Sequence, residues 1–453
     1  MEMKETPSDN LLQTIQAVPN SRVALVSKNS RVSYGDLKSL ASTNKQALLV
    51  LKNKSVVVNA RSRFEFSLLL PLLDGVASQI LFLPRDINEK LRMQYIREVG
   101  CEYEVLLDND SLVCEKIIEH SVGVCNDENA LLTEWIVPTS GTTKKPKLVI
   151  HTLASLAKTA KRDIDLGEKY IWGLVFDIYR FSGIQVYLQS LLSGSTLVVC
   201  DADEDMQQIV TVLVRHGCNT LSGTPSFWRK MLMTKMVEQL PLKNITLGGE
   251  IVDANILKAL QEKFPKAKLR HIYASTEVGV GFSVTDGVAG FPRSYLDNGV
   301  NELEIKIDAE NIMWMRPKIR SQKYRGNDVM FDADGYINTG DKVQIEGDRV
   351  YFLGRDSGAI NVGGNKVQPE EVEKCLLDSM LVQEVRVFGK SSPIMGALVC
   401  AEVVLSPQAK QNANPKSDIL NYCKQHLESY KVPVMLKFVE QIEVTESGKI
   451  RRN

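Results

Sequence analysis

Short apolar runs alternate with helical patterns along most of the chain. Val23-Ala24-Leu25-Val26, Val56-Val57-Val58, Ile80-Leu81-Phe82-Leu83 and Leu197-Val198-Val199 read as buried strands. Continuous aliphatic runs of this length suit strands covered on both faces. Residues 64–73 and 207–216 repeat apolar positions at helical spacing. Strand–helix alternation predicts α/β layers around a mostly parallel sheet. The pattern changes near residue 300, where short strands separated by turns are expected at 302–307, 312–315, 343–346 and 349–353, with Asp334-Gly335 and Gly347-Asp348 as turn dipeptides. After Gly354-Arg355 a smaller α+β unit begins. Pro369 followed by Glu370 and Glu371 is a helix start, with proline at the first position and acids in the first turn. The expected division is a large N-terminal domain, 1–354, and a small C-terminal domain, 355–453.

At 453 residues the chain exceeds what one core supports, about 250–300 residues, so two or more domains are expected. Apolar residues make up 44% and charged residues 24%, which excludes a disordered chain, a collagen and a coiled-coil rod. Lys plus Arg and Asp plus Glu both count 55, so no basic excess points to nucleic acid. The eight cysteines include no CxxC pair, which argues against a metal or disulfide framework and for reduced thiols. MEMKETPSDN has no apolar run and no stretch reaches the roughly 18 apolar residues of a membrane span, so the expectation is a cytoplasmic protein without a signal peptide.

The clearest chemistry lies in Trp135-Ile136-Val137-Pro138-Thr139-Ser140-Gly141-Thr142-Thr143-Lys144-Lys145-Pro146-Lys147. An apolar strand runs into a loop of hydroxyls, glycine and lysines. Such a loop offers backbone N–H groups, hydroxyl donors and positive charge to a polyphosphate. Composition alone fits a polar surface turn equally well, and the Walker spacing is absent. The order of residues, TSGTT-x-x-PK, resembles the phosphate loop of the adenylate-forming superfamily of acyl-CoA synthetases, luciferases and peptide-synthetase adenylation domains. Lys144 stands where that family usually has glycine.

Further segments follow in the family's order. Ser222-Gly223-Thr224-Pro225-Ser226-Phe227 resembles the strand end that precedes the family's GG segment, here Leu247-Gly248-Gly249-Glu250, expected along the adenine. Tyr273-Ala274-Ser275-Thr276-Glu277 resembles YGSTE, which implies that Thr276 contacts the α-phosphate and Glu277 holds Mg²⁺, an ion that needs few carboxylates beside phosphate oxygens. Tyr336-Ile337-Asn338-Thr339-Gly340-Asp341 resembles the TGD segment, implying Asp341 at the ribose hydroxyls; by itself Thr-Gly-Asp is also turn chemistry. Phe352-Leu353-Gly354-Arg355-Asp356-Ser357 resembles the hinge, with Arg355 at the ribose and Ser357 as pivot. Gly363-Gly364 begins a run resembling the one along which a pantetheine arm passes. Thr445-Glu446-Ser447-Gly448-Lys449-Ile450-Arg451-Arg452 resembles the closing segment, with Lys449 as catalytic lysine; a basic tail is the plain alternative. These segments span roughly 70% of the 453 residues, and in compactness the chain is most similar to the o-succinylbenzoate–CoA ligases.

The resemblance implies a large N-terminal α/β domain with layered sheets and a β-rich subdomain, and a small mobile α+β C-terminal domain. It implies ATP and Mg²⁺, and CoA or a carrier-protein phosphopantetheine as thiol acceptor. A carboxylic acid is activated as acyl-adenylate with pyrophosphate release, Lys449 serving this step; rotation about Ser357 then presents Gly363-Gly364 for thioester formation. Alternatives are a stand-alone adenylation enzyme that loads a carrier protein, including with an amino acid, and an inactive nucleotide-binding homologue. In Phe176-Asp177-Ile178-Tyr179-Arg180-Phe181-Ser182-Gly183 the acyl-pocket candidates are Arg180 and Gly183, before a helix at 185–192. Arg180 either ion-pairs within the fold or faces a polar acid. Asp177 mimics the amine-binding Asp of amino-acid enzymes, but its spacing to Gly194 is about four residues too long, which favours a non-amino acid.

Overall fold

The structure, a computed structural model, describes residues 10–117, 132–139, 147–318, 323–325, 330–392, 395–444 and 450. Two large sheets form the N-terminal part. One has eight strands, with Lys268–Ser275, Asn244–Leu247, Thr220–Gly223, Ile171–Leu174, Thr196–Val199 and Val23–Val26 parallel in that order and antiparallel strands at both edges. The other has seven, with Glu134–Pro138, Gln79–Leu81, Ser55–Val58 and Tyr103–Asp108 parallel in its middle. The expected strands are thus present, in mixed rather than purely parallel sheets.

Helices Arg63–Leu73 and Phe181–Leu192 share one core with strands of both sheets, and each buries nine residues. Each Leu or Phe taken from water there contributes roughly 1.5–3 kcal/mol. Pro71 inside the first helix leaves the Ser67 carbonyl without its helical donor. The Tyr187 hydroxyl of the second helix supplies that hydrogen bond at 2.9 Å, so the proline fixes how the two helices meet. The second helix begins at Phe181, earlier than the 185 expected, and takes in Gly183. A Cβ at Gly183 would lie 2.2 Å from the Asp177 carbonyl oxygen, so the glycine permits a backbone approach.

The change of pattern near residue 300 marks a five-stranded antiparallel sheet, in the order Phe291–Pro292, Arg349–Arg355, Ile337–Glu346, Ile312–Pro317, Leu303–Ile307. The smaller C-terminal domain packs helices Pro369–Asp378 and Pro415–His426 on a sheet containing Val382–Ser392, Gly396–Leu405 and Met435–Phe438, around its own core. Pro369 is at the first helical turn with Glu370 and Glu371, as the sequence predicts. No helix among the described residues is long and apolar enough to cross a membrane. Seven cysteines are described, all as free thiols and six of them buried.

Candidate active site

Several parallel strands of the eight-stranded sheet run out on the same side. Gly223 pairs with Leu247 and Leu247 with His271, so the Ser222–Phe227, Leu247–Glu250 and Tyr273–Glu277 segments emerge together at carboxyl ends. Open α/β sheets bind ligands in the crevice outside such ends. Close approach is built in: a Cβ at Gly248 would stand 2.9 Å from the Ile272 side chain, and Gly249 has φ +83°. Ala274 and Ser275 pair with Val280 and Gly279, and the Ser275 hydroxyl accepts from Val278 N at 3.1 Å. Thr276 follows, buried, and Glu277 is half-buried.

Asp341 meets this crevice from the five-stranded sheet. The Tyr273 hydroxyl donates to its Oδ2 at 2.6 Å and Arg355 Nε to its Oδ1 at 3.1 Å. Asp341 and Arg355 are register partners on neighbouring strands. Thr339-Gly340-Asp341 is not a hairpin turn but a bulge inside strand Ile337–Glu346. Ile312 and Trp314 oppose Lys342 and Asn338, so the extra residues are pushed out, with Gly340 at φ +70°. The bulge aims Asp341 at Tyr273. The Tyr273 ring stacks on Phe352 and Phe282, both at 5.4 Å. Burial, and then the Asp341 charge, push its hydroxyl well above the usual tyrosine range, so it stays a proton donor. Burial opposes the Arg355 charge, but the Asp341 carboxylate, with Glu277 adding, outweighs it and raises the pKa.

Thr139 and Lys147 bracket the phosphate-loop sequence. Thr139 N donates to the Lys147 carbonyl at 2.8 Å and Lys147 N to Thr139 Oγ1 at 3.1 Å. Ser140, Gly141, Thr142, Thr143 and Lys144 lie outside the described residues, as does Lys449. Lys147 Nζ sits 4.5 Å above the Tyr324 ring, and the Tyr324 hydroxyl lies 3.5 Å from Glu277 Oε1. Tyr324 therefore joins the loop's lysine to the expected metal carboxylate. Sequence reasoning missed it, because nothing local marks a tyrosine whose strand pairs with Leu148–His151 from far along the chain.

Other expected residues make contacts within the protein. Glu250 accepts from Ser226 N and Ile450 N, each at 3.0 Å. Arg180 takes the ion-paired reading: it reaches Asp177 at 3.2 Å and Asp86 at 3.3 Å. Asp177 is 2% exposed and also accepts from Tyr179 N at 3.1 Å. Ser357 lies in the short turn Asp356–Gly358 directly after Arg355. Gly363 and Gly364, at φ +57° and +90°, form a two-residue hairpin turn that such angles require. A cavity of about 530 Å³ between Asp308, Lys342, Asp356 and Lys366 includes none of the expected residues.

Family models complete the picture. The AMP-binding enzyme model matches residues 102–306, and the AMP-binding enzyme C-terminal domain matches 371–449. The chain belongs to the adenylate-forming AMP-binding enzymes. Its reaction class is therefore ATP-dependent activation of a carboxylic acid as an acyl-adenylate, followed by thioester formation. A 2-succinylbenzoate–CoA ligase of Listeria monocytogenes is 25% identical over 434 residues, covering 90% of this chain and 89% of that protein. A plipastatin synthase polypeptide of Bacillus subtilis is 24% identical over 84% of this chain, which spans only 16% of that protein's length. A solved anthranilate CoA ligase, in complex with anthranoyl-AMP, has the same fold: TM-score 0.77, 16% identity, 97% of this chain and 94% of that one.

Proposed function

We propose that this AMP-binding enzyme activates a non-amino carboxylic acid and transfers it to CoA. The observation that carries the acid class is the state of Asp177. Its carboxylate is 2% exposed, already ion-paired with Arg180 and accepting from Tyr179 N, so a substrate ammonium would meet a buried, neutralised carboxylate rather than an open one. CoA as acceptor is favoured by the ligases that match nearly end to end, since this chain spans only a fraction of the plipastatin synthase polypeptide.

In this reading the ribose hydroxyls donate to Asp341, whose carboxylate Tyr273 and Arg355 hold in one orientation. An ionised carboxylate has lone pairs left for both hydroxyls. Gly248 and Gly249 let the adenine lie close to backbone. Thr139, Lys147 and the intervening loop sequence neutralise the triphosphate while the acid carboxylate attacks the α-phosphorus and pyrophosphate leaves. Lys449 adds charge there, and Thr276 contacts the α-phosphate. Glu277 fits the Mg²⁺ role: it is half-buried beside the Lys147 end of the loop, and magnesium asks for few protein carboxylates when phosphate oxygens are present. The metal would neutralise charge on the phosphates. Ser357 is the proposed pivot between domains 1–354 and 355–453, and Gly363-Gly364 the surface passed by the CoA arm.

The test is acid-dependent pyrophosphate release over fatty, aryl, hydroxy, dicarboxylic and amino acids, with hydroxylamine trapping the adenylate, then CoA against a phosphopantetheinylated carrier. A non-amino acid with CoA turnover supports the reading. Turnover confined to an amino acid or to the carrier overturns it.

A further inference from the structure

The C-terminal domain is held to the large domain at a place that sequence reasoning did not mark. Lys230, in helix Pro225–Leu232, donates from Nζ to the Ile442 carbonyl at 2.8 Å and lies 3.7 Å from Glu384 Oε2. That same Glu384 oxygen accepts from Ile442 N at 3.4 Å, so both backbone polar groups of a buried residue are clasped from two domains. Farther along, Val444 and Ile450 pair as antiparallel neighbours. Ile450 N then donates to Glu250 Oε1, while Glu250 Oε2 holds Ser226 N at the start of the Lys230 helix. Asn255 to Asp378, at 2.8 Å, is a further contact at the exposed rim.

We propose that Lys230 and Glu250 are positioning residues for adenylate formation: they fasten the closing segment at Ile442 and Ile450 and so set where Lys449, the residue preceding Ile450, is delivered. This rests on the proposed role of Lys449. Lys230 and Glu250 touch no reacting group. Glu250 is well suited, because its two oxygens take one backbone donor each, and only a carboxylate can accept at both. Lys230 is suited because it pairs with a carbonyl and a carboxylate that both belong to the other domain. The proposed rotation of that domain for thioester formation breaks the contacts that Lys230 and Glu250 make across the two domains, so the fastening acts in one half-reaction alone.

The test uses the full chain with Lys230→Met, Glu250→Ala and Glu250→Gln. Loss of a charge-assisted hydrogen bond predicts about a tenfold or greater fall in kcat for adenylate formation in the first two. KM for ATP stays within about twofold, since positioning acts on the transition state rather than on nucleotide binding. Glu250→Gln recovers part of the loss, keeping one acceptor of two. With supplied acyl-adenylate, Lys230→Met makes thioester at the wild-type rate. Hydrogen exchange supplies a readout independent of turnover: the peptide covering 442–450 exchanges faster in both strong variants. Equal loss in both half-reactions, a rise in KM for ATP at unchanged kcat, or unaltered exchange each overturns the inference. An inactive wild type with the expected exchange pattern instead overturns the proposed function and leaves the fastening standing.

Discussion

Replacing Tyr273 by Phe isolates one hydrogen bond at the centre of the site. The ring remains, and with it the stacking on Phe352 and Phe282 at 5.4 Å. Only the hydroxyl that donates to Asp341 Oδ2 at 2.6 Å is lost. A hydrogen bond to an ionised group contributes about 1.5–3 kcal/mol. Asp341 keeps Arg355 at 3.1 Å, and the Arg355 side chain is 41% exposed, so water shares in the remaining solvation. The low end therefore applies, about 1.5 kcal/mol or roughly tenfold in affinity. In its proposed role Asp341 binds the ribose in ground and transition states alike, so KM for ATP rises about tenfold and kcat holds. Initial rates of pyrophosphate release at saturating acid give both constants, and calorimetry with AMP gives the same shift without turnover. An unchanged KM with a fallen kcat refutes the reasoning, since Asp341 would then act in the chemical step and not on the ribose.

Three further outcomes follow from separate features. Lys449→Ala lowers adenylate formation by about 10²–10³, the usual cost of one charge-stabilising donor, but spares thioester formation from supplied adenylate; equal loss in both half-reactions sinks the domain-rotation mechanism. Burial lowers the His151 pKa to about 4, below the unfolded value near 6.5, so on acidification the unfolded chain takes up the proton first and stability falls from about pH 6.5 down to about 4. His151→Leu should shrink the difference in unfolding free energy between pH 7 and pH 4 by about 3 kcal/mol, read by denaturant titration; an unchanged acid limb excludes this imidazole as its source. Gly183→Ala puts a Cβ 2.2 Å from the Asp177 carbonyl oxygen and costs about 1–3 kcal/mol of stability. A normal melting temperature with a raised KM for the acid would instead make Gly183 part of the acyl pocket.

Legibility divided along the range of the interactions. Strands such as Ser55–Val58 and the helix from Pro369 were readable because apolar runs and a first-turn proline act within a few residues. The segments at 247–250, 273–277 and 339–341 were readable as a set, through their order. What the sequence hid was how side chains from distant strands share one group. Thr339-Gly340-Asp341 has turn composition whether it ends a strand or bulges one. The difference lies in its partner strand Ile312–Pro317, which opposes it with fewer residues. Tyr324 and Lys230 carry no local mark, since each matters only through a partner far along the chain: Glu277 for one, Ile442 for the other.

The same division bears on Arg355 and Glu250. Both stand in segments expected at the nucleotide, yet both also border the C-terminal domain. Arg355 ends the strand paired with the one that carries Asp341, and the turn containing Ser357 begins at the next residue. Gly354, just before it, has φ +138°, and a Cβ there would meet Glu370 of the C-terminal helix at 2.4 Å. Glu250 closes the Gly248-Gly249 turn but spends its carboxylate on Ser226 and Ile450. In the proposed reading the ribose carboxylate Asp341 is the register partner of Arg355, which directly precedes the turn of the proposed pivot, and Glu250 links the Gly248-Gly249 turn to Ile450. The proposed nucleotide contacts and the contacts between the two domains thus share residues, and that is where a bias of domain position by bound nucleotide would act.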